Sequence, residues 1–333
     1  GSCLAWARDL VASGMATWMS DPIVVNGDVY VAAGSKLQIR DAATGAIKSQ
    51  ADLAERVEST CRLAYADGLV IVPLHDGRVQ ALTADKLVTV WLTDALPQSG
   101  GVSQQSISTP LVRDGYYYLG TTAASFTGSS LGGYLMSINL ATGSVRWSVE
   151  SEGSGYYWSG AASVRAGILV ADDTGVLALR DASTGKIVSK LVLGSPSRSG
   201  VVTSADGSEA YVVTTDGVLH KVSVAVDGTL APVGSVRFAQ ASTSTPTLSD
   251  GKVYVGGGSS RVGGTGGLYV IDAKTLSVEQ SVTATADGAR AGDVKSAPLV
   301  ARRGAGTYVY FTSNARPGGI YVYKLGEKCA TLL

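Results

Sequence analysis

The sequence predicts an all-β fold: a seven-bladed β-propeller of four-stranded antiparallel blades, one domain spanning residues 1–333. Three observations carry this. An alternating apolar run ending in a tight turn recurs along the chain. A second motif, Ser-x-Pro-apolar, then Asx-Gly, then a β-branched or aromatic run, recurs ahead of it. The two termini share one repeat between them.

The first motif is clearest from Gly175 to Gly185, GVLALRDASTG. Gly34 to Gly45 (GSKLQIRDAATG), Gly77 to Leu87 (GRVQALTADKL), Gly133 to Gly143 (GYLMSINLATG) and Gly267 to Leu276 (GLYVIDAKTL) are its relatives. Asp caps such a turn with its own side chain, and Gly takes the left-handed position. The second motif is best kept at Ser20-Pro22-Asn26-Gly27, Ser108-Pro110-Asp114-Gly115 and Ser244-Pro246-Asp250-Gly251; Cys61 stands in the Ser position of the second copy. Asx-Gly between apolar runs is the strongest short hairpin signal, because both turn residues need positive φ. The marker glycines Gly27, Gly68, Gly115, Gly167, Gly207 and Gly251 are spaced by 40–52 residues. A period of that length means a repeat architecture. Runs such as VYVAA, VYVGG and YVYFT are strand formers, and no long 3.6-residue periodicity competes with them. Each period therefore reads as strands A to D. Such units bury their faces only against neighbours.

The ends complete the pattern. The seventh copy, with Ser296 and Pro298, stops after strand C, IYVYKL. Residues 3–10, CLAWARDL, match the strand D of the third copy, with Trp6 in the place of Trp147. The N-terminal strand is thus expected to complete the C-terminal blade. By the same counting Cys3 and Cys329 both fall at the first position of that strand D, which predicts a Cys3–Cys329 disulfide; the alternative is two unrelated thiols. A disulfide there implies an oxidising compartment, extracellular or at the cell surface. Cys61 is expected to be a buried structural thiol.

Composition sets limits on function. Charged residues are 16% and balance, with 27 Lys and Arg against 27 Asp and Glu, so no basic face for nucleic acid is indicated. No apolar run is long enough to span a bilayer. No signal peptide is visible; the opening Gly1-Ser2 reads as a cloning remnant, which leaves a signal or anchor outside this sequence open. Nothing in the sequence sets an oligomeric state.

The units DGRVQAL, DTGVLALRDASTG and GLYVIDAKTL, with Trp91 and Trp147 four residues after the turn, resemble the repeats of the pyrroloquinoline-quinone-type propeller superfamily. The resemblance covers nearly the whole chain. It implies either a quinone-dependent alcohol or sugar dehydrogenase, or a non-enzymatic scaffold such as the outer-membrane assembly lipoprotein. The dehydrogenases of that superfamily carry eight blades, many a vicinal Cys-Cys disulfide, and Glu, Asn and Asp ligands for Ca²⁺. Here seven blades are counted and the three cysteines are far apart, which points to the non-enzymatic branch.

Candidate site residues follow from the repeat. In a propeller the D-to-A and B-to-C connections share one face, and the longest connections here lie on it: 121–132, 256–266, 313–318 and 92–107. Nine residues before the marker Gly stand Trp18, Trp158 and Arg198, where other copies have Ser59, Ser106 and Ser242. With Tyr156 and Tyr157 beside Trp158, these form a candidate aromatic platform suited to stacking and cation–π contact. The competing reading is that the tryptophans cover the apolar ends of the blades. Arg261 and Arg316 join the candidates at loop tips. Trp91 and Trp147 are assigned to blade-to-blade packing. Asp76, Asp172 and Asp173 read as turn caps, and His75 and His220 lack metal-ligand spacing. The run GGGSSRVGGTGG lacks the Lys-Ser/Thr ending of a phosphate loop. No catalytic residue, metal or cofactor is expected. The expected function is a non-catalytic binding or scaffold propeller of a secreted or surface protein, recognising a protein, peptide or glycan partner. The alternative is a quinone-dependent or other propeller enzyme with an atypical site.

Overall fold

The computed structural model describes residues 18–124, 130–259, 266–283, 292–314 and 319–326. Among these there are strands and no helix. Seven antiparallel sheets follow one another along the chain, each with its strands in sequential order; six have four strands and the last has three. The chain is a seven-bladed β-propeller. The expected closing strand at residues 3–10, and both Cys3 and Cys329, lie outside the described residues.

The chain divides into two compact units. Gly1–Trp158 with Ala182–Gly185 carries blades 1 to 3 and one turn of blade 4; Ser159–Asp181 with Lys186–Leu333 carries the rest. Blade 1 sets the pattern: strand A Ile23–Val25, B Asp28–Ala33, C Lys36–Asp41 and D Ile47–Asp52. The A-to-B hairpins close as expected, with Asn26 and Gly27 at φ 51° and 83° and the same pair of positive values at Asp67-Gly68, Asp114-Gly115 and Asp250-Gly251. At the C-to-D turn, Asp41 Oδ1 accepts the N–H groups of Ala43 (3.0 Å) and Thr44 (2.8 Å). Asn139 and Asp272 do the same in blades 3 and 6. Just past this turn a bulge shifts the C–D register in every four-stranded blade. In the compact form of the turn the left-handed residue is Gly45, Gly143 or Gly185, but Leu87 (φ 54°) and Leu276 (φ 59°) take it in blades 2 and 6.

In blade 4 strands B and C are almost wholly buried, whereas a strand D such as Val278–Thr283 of blade 6 carries only exposed and half-buried residues and faces solvent. The cores lie between blades. In the first unit, one cluster joins Tyr30, Leu37 and Ile39 of blade 1 to Val70, Leu82 and Leu87 of blade 2; a second joins Ile71, Ala81 and Trp91 to Tyr117, Met136 and Ile138. The second unit repeats this for blades 4–5, 5–6 and 6–7. No blade has a core of its own, so each is stable only beside its neighbour.

Side chains on strand D fit the turn of the next blade as knob and hole. Trp91 lies against Gly143, where an added Cβ would sit 2.6 Å from its ring, and Trp147 lies against Gly185 at 2.8 Å. Their indole N–H groups donate to Leu140 O (2.7 Å) and Ala182 O (3.0 Å). Where strand D is small the turn is large. Leu276 fills the space over Gly234. The buried Leu87 joins the cluster between blades 1 and 2, and strand D of blade 1 carries Ser49 at the register place of Trp91. Burying a Leu contributes about 2 kcal/mol, which offsets the ~1–2 kcal/mol cost of its left-handed backbone. The assignment of Trp91 and Trp147 to blade packing holds.

Candidate functional site

Strand register decides which residues occupy equivalent places at the connection face. In blade 1 the A-to-B hairpin closes at Val25↔Asp28 around Asn26-Gly27. In blade 4 it closes at Val164↔Gly167, so Gly167 opens strand B rather than ending the turn. In blade 5 the turn is longer, with Thr203↔Ala210 paired and Ser204 N–H donating to Glu209 O at 2.9 Å. Counted from these pairs, Trp18 is equivalent to Tyr157 and Ser197. Trp158 and Arg198 belong one residue further on, with Met19. This corrects the placement of Trp18, Trp158 and Arg198 at a single repeat position. Two parallel bridges at one further place in the repeat, Asp21↔Arg62 and Gly160↔Gly200, fix the register independently.

Each place has a physical role. At the Trp18 place, Ser106, Ser197 and Ser242 are buried, and their hydroxyls donate to Gly120 O (2.7 Å), Val213 O (2.9 Å) and Gly256 O (2.7 Å). Two residues on, Ser20, Cys61, Ser108, Ser159, Ser199 and Ser244 are all buried. There Ser20 Oγ accepts Ala32 N–H at 2.9 Å and Ser244 Oγ accepts Gly256 N–H at 3.0 Å. Cys61 is the thiol of this series, and burial, with Asp21 and Glu58 nearby, pushes it up to about 12. That is an inert thiol, as expected.

Trp18 replaces a structural hydroxyl with an exposed ring, 41% accessible, beside Met19 at 36%. Arg56, from the connection into blade 2, sets its guanidinium over the indole at 4.4 Å from the centroid. Glu58 Oε2 holds Arg56 (3.1 Å) and His75 Nδ1 (2.7 Å). Burial pushes the Glu58 carboxyl up, but the His75 hydrogen bond and the Arg56 charge outweigh it, so its pKa lies below the ordinary value. Nearby Asp76 pairs with Arg78 at 2.6 Å and takes its backbone N–H, a turn-capping role. Arg56, Glu58 and His75 had no sequence signal: they lie in short connections, and only the fold brings them to Trp18.

Elsewhere in the same unit Tyr157 and Trp158 pack ring to ring, centroids 4.9 Å apart and planes at 56°, both half-buried. Tyr156 differs. It is 2% exposed, presses on Gly120 and donates its N–H to Thr121 O, so it is a wall under this surface and not part of a platform. The long 92–107 connection is pinned by buried Gln104, which accepts from Thr121 Oγ1 (2.8 Å) and donates to Ser99 Oγ (3.0 Å). In the second unit, Arg198 lines a cavity of about 350 Å³ with Ser242, Thr243, Asp293 and Lys295. Arg261 and Arg316 lie outside the described residues.

A model of the outer membrane protein assembly factor BamB matches residues 4–155 and 131–325. The chain belongs to the BamB family. BamB from Moraxella catarrhalis is 17% identical over 88% of this chain and 82% of that one, with a TM-score of 0.64. The quinohemoprotein alcohol dehydrogenase ADHIIG from Pseudomonas putida HK5 is 13% identical, covering 88% and 69%, TM-score 0.63. A europium-containing methanol dehydrogenase is 14% identical, covering 90% and 73%, TM-score 0.64. At such identities the likeness is one of fold. No curated protein matches the sequence.

The fold is thus shared by BamB and by quinone enzymes, and the donor set tests the second kind of site. A hard cation in such a site needs clustered oxygen ligands. Among the described residues no three His, Cys, Asp or Glu side chains come together to hold one. Asp172 is spent on its own turn, accepting from Thr174 N–H (3.0 Å), Thr174 Oγ1 (2.7 Å) and Val176 N–H (3.0 Å). His220 Nε2 contacts Thr214 Oγ1 at 3.0 Å. No helix of the described residues is long and apolar enough to cross a membrane.

Proposed function

We propose that this BamB-family propeller is a non-catalytic binding scaffold of the extracellular or cell-surface space, which recognises a partner polypeptide through its connection face. The observation that carries the reading is Trp18: an exposed indole where blades 3, 5 and 6 keep a buried serine, with Arg56 held over it by Glu58. An aromatic ring fixed under a guanidinium is a low-entropy anchor of the kind that dominates interfaces. Membership of a family named for an assembly factor supports a scaffold role.

The test is photo-crosslinking from position 18, followed by binding of the captured partner to Trp18→Ala, Arg56→Ala and Trp158→Ala. Truncating an interface anchor is expected to weaken binding by about 30-fold or more, equivalent to ~2 kcal/mol. Unchanged affinity in all three variants overturns the proposal. Pyrroloquinoline quinone with Ca²⁺ is the control; a rise in melting temperature at saturating cofactor restores the enzyme reading.

A further inference from the structure

We infer that the cavity lined by Arg198 and Lys295 in the second unit is a carboxylate-binding subsite for a peptide. This rests on the proposed reading of the chain as a scaffold for a polypeptide partner. The cavity, about 350 Å³, is at the lower end of the range of small-ligand sites. Its described lining combines two cations, Arg198 and Lys295, with one carboxylate, Asp293, and the hydroxyl residues Thr215, Ser242 and Thr243.

The walls are held in place before any ligand arrives. Backbone hydrogen bonds run from connection to connection: Thr215 N–H to Pro196 O (2.8 Å), Ser242 N–H to Thr215 O (3.2 Å), and Ala241 and Gly258 to each other (2.9 Å both ways). They continue as Val294 N–H to Gly257 O (3.2 Å) and Asn314 N–H to Asp293 O (3.0 Å). The glycines of 256–258 permit this closeness. A Cβ at Gly256 would meet Val294 O at 2.4 Å, and one at Gly258 would meet Asp293 Oδ1 at 1.8 Å. Asp293 Oδ1 also accepts Ser259 N–H at 3.1 Å, which fixes the carboxylate. The triple glycine is thus a packing device for the 292–295 segment, and the cavity is its product.

The chemistry of the lining selects the occupant. Two cations against one anion favour a negatively charged group, and guanidinium with ammonium suits a carboxylate. The anchored Asp293 and the hydroxyls then accept N–H donors beside that carboxylate, as a peptide chain supplies. None of the described lining residues is aromatic, so the stacking that neutral sugars use is lacking. Either a C-terminal carboxylate or an acidic side chain supplies the same group.

The experiment is ligand-observed NMR titration of the whole chain with four probes. These are N-acetyl-trialanine as free acid, its C-terminal amide, N-acetyl-Ala-Glu-Ala amide, and glucuronate. Binding is expected for the free acid, the glutamate peptide or both, and not for the trialanine amide. Arg198→Gln and Lys295→Gln are each expected to weaken it by about tenfold or more. Lys295 is exposed, so its variant keeps the test valid should Arg198→Gln fail to fold. Equal binding of acid and amide, wild-type affinity in both variants, no binding of either carboxylate peptide, or preference for glucuronate overturns the inference. Because the probes are short peptides, their failure leaves the Trp18 surface standing, and loss of the Trp18 partner leaves this cavity standing.

Discussion

Gly143→Ala is expected to be strongly destabilising, and the reason can be separated into two parts. Gly143 sits at φ +73°, where any residue with a Cβ is strained by about 1–2 kcal/mol. Its Cβ would also lie 2.6–2.7 Å from Cβ, Cγ and Cδ2 of Trp91, the rigid body of the side chain and not a flexible tip. Forcing an extra methyl into such a contact adds about 1–3 kcal/mol. The expected loss is therefore about 2–5 kcal/mol. Gly115→Ala is the internal control. Its φ is +76°, nearly the same, but no atom lies within 4 Å of the added Cβ. It should lose only the strain, about 1–2 kcal/mol. Urea unfolding followed by far-UV circular dichroism measures both. A third variant isolates the clash: Trp91→Ser alone costs about 3–5 kcal/mol through its cavity, but it removes the ring that the added methyl would strike. The double change should then be less damaging than the sum of its parts by about 1–3 kcal/mol. Equal losses for the two glycine variants, or strict additivity in the cycle, would refute the knob-and-hole account of blade packing.

Two further outcomes are expected. Cys61, fully buried and pushed up to about 12, should resist iodoacetamide in the native protein at neutral pH and react once urea unfolds it; rapid alkylation of the native protein would contradict the assignment. The Glu58 carboxyl lies below its ordinary value of 4.5, so its contribution to stability is present above that pH and is lost as pH falls through the folded-state value. Glu58→Gln should therefore flatten the acid limb of a stability–pH curve, and an unchanged slope below pH 4.5 would count against the Arg56–Glu58–His75 cluster.

The fold was legible because its determinants are local. Asx-Gly turns, Asp-x-x-Thr-Gly turns and β-branched runs each act over a few residues, and their period reports the blade. The knob-and-hole pairing was only half legible. Trp91 and Trp147 stand out, but their partners Gly143 and Gly185 look like ordinary turn glycines, and Leu87 and Leu276 look like departures from the turn motif. Read across the blade interface, all four obey one rule of volume. The cluster around Trp18 was illegible for a related reason. Arg56 and His75 come from different connections, and no spacing along the chain encodes a contact that only the sheet order creates.

Counting from marker glycines failed at blades 4 and 5, and the failure shows where function can reside. In blade 4 the turn Arg165-Ala166 keeps its two residues but the glycine stands one residue later, and in blade 5 the turn lengthens to 205–208 at little cost, so the marker drifts by one residue in each. The backbone beyond it cannot drift. Buried carbonyl and N–H groups at the end of strand B need partners, and Ser106, Ser197, Ser242, Ser20 and Ser244 supply them. These positions are therefore held to small hydroxyl residues. The place between them carries no such obligation, and it holds Met19, Ile107, Trp158 and Arg198 as readily as Thr60 and Thr243. Trp18 and Tyr157 mark the two blades where an aromatic residue takes the first hydroxyl place instead. A repeat that satisfies its backbone with alternate residues does not hold the intervening ones to small hydroxyl side chains, so larger ones can stand there. That is why Arg198 lines a cavity although its neighbours Ser197 and Ser199 are buried in the blade.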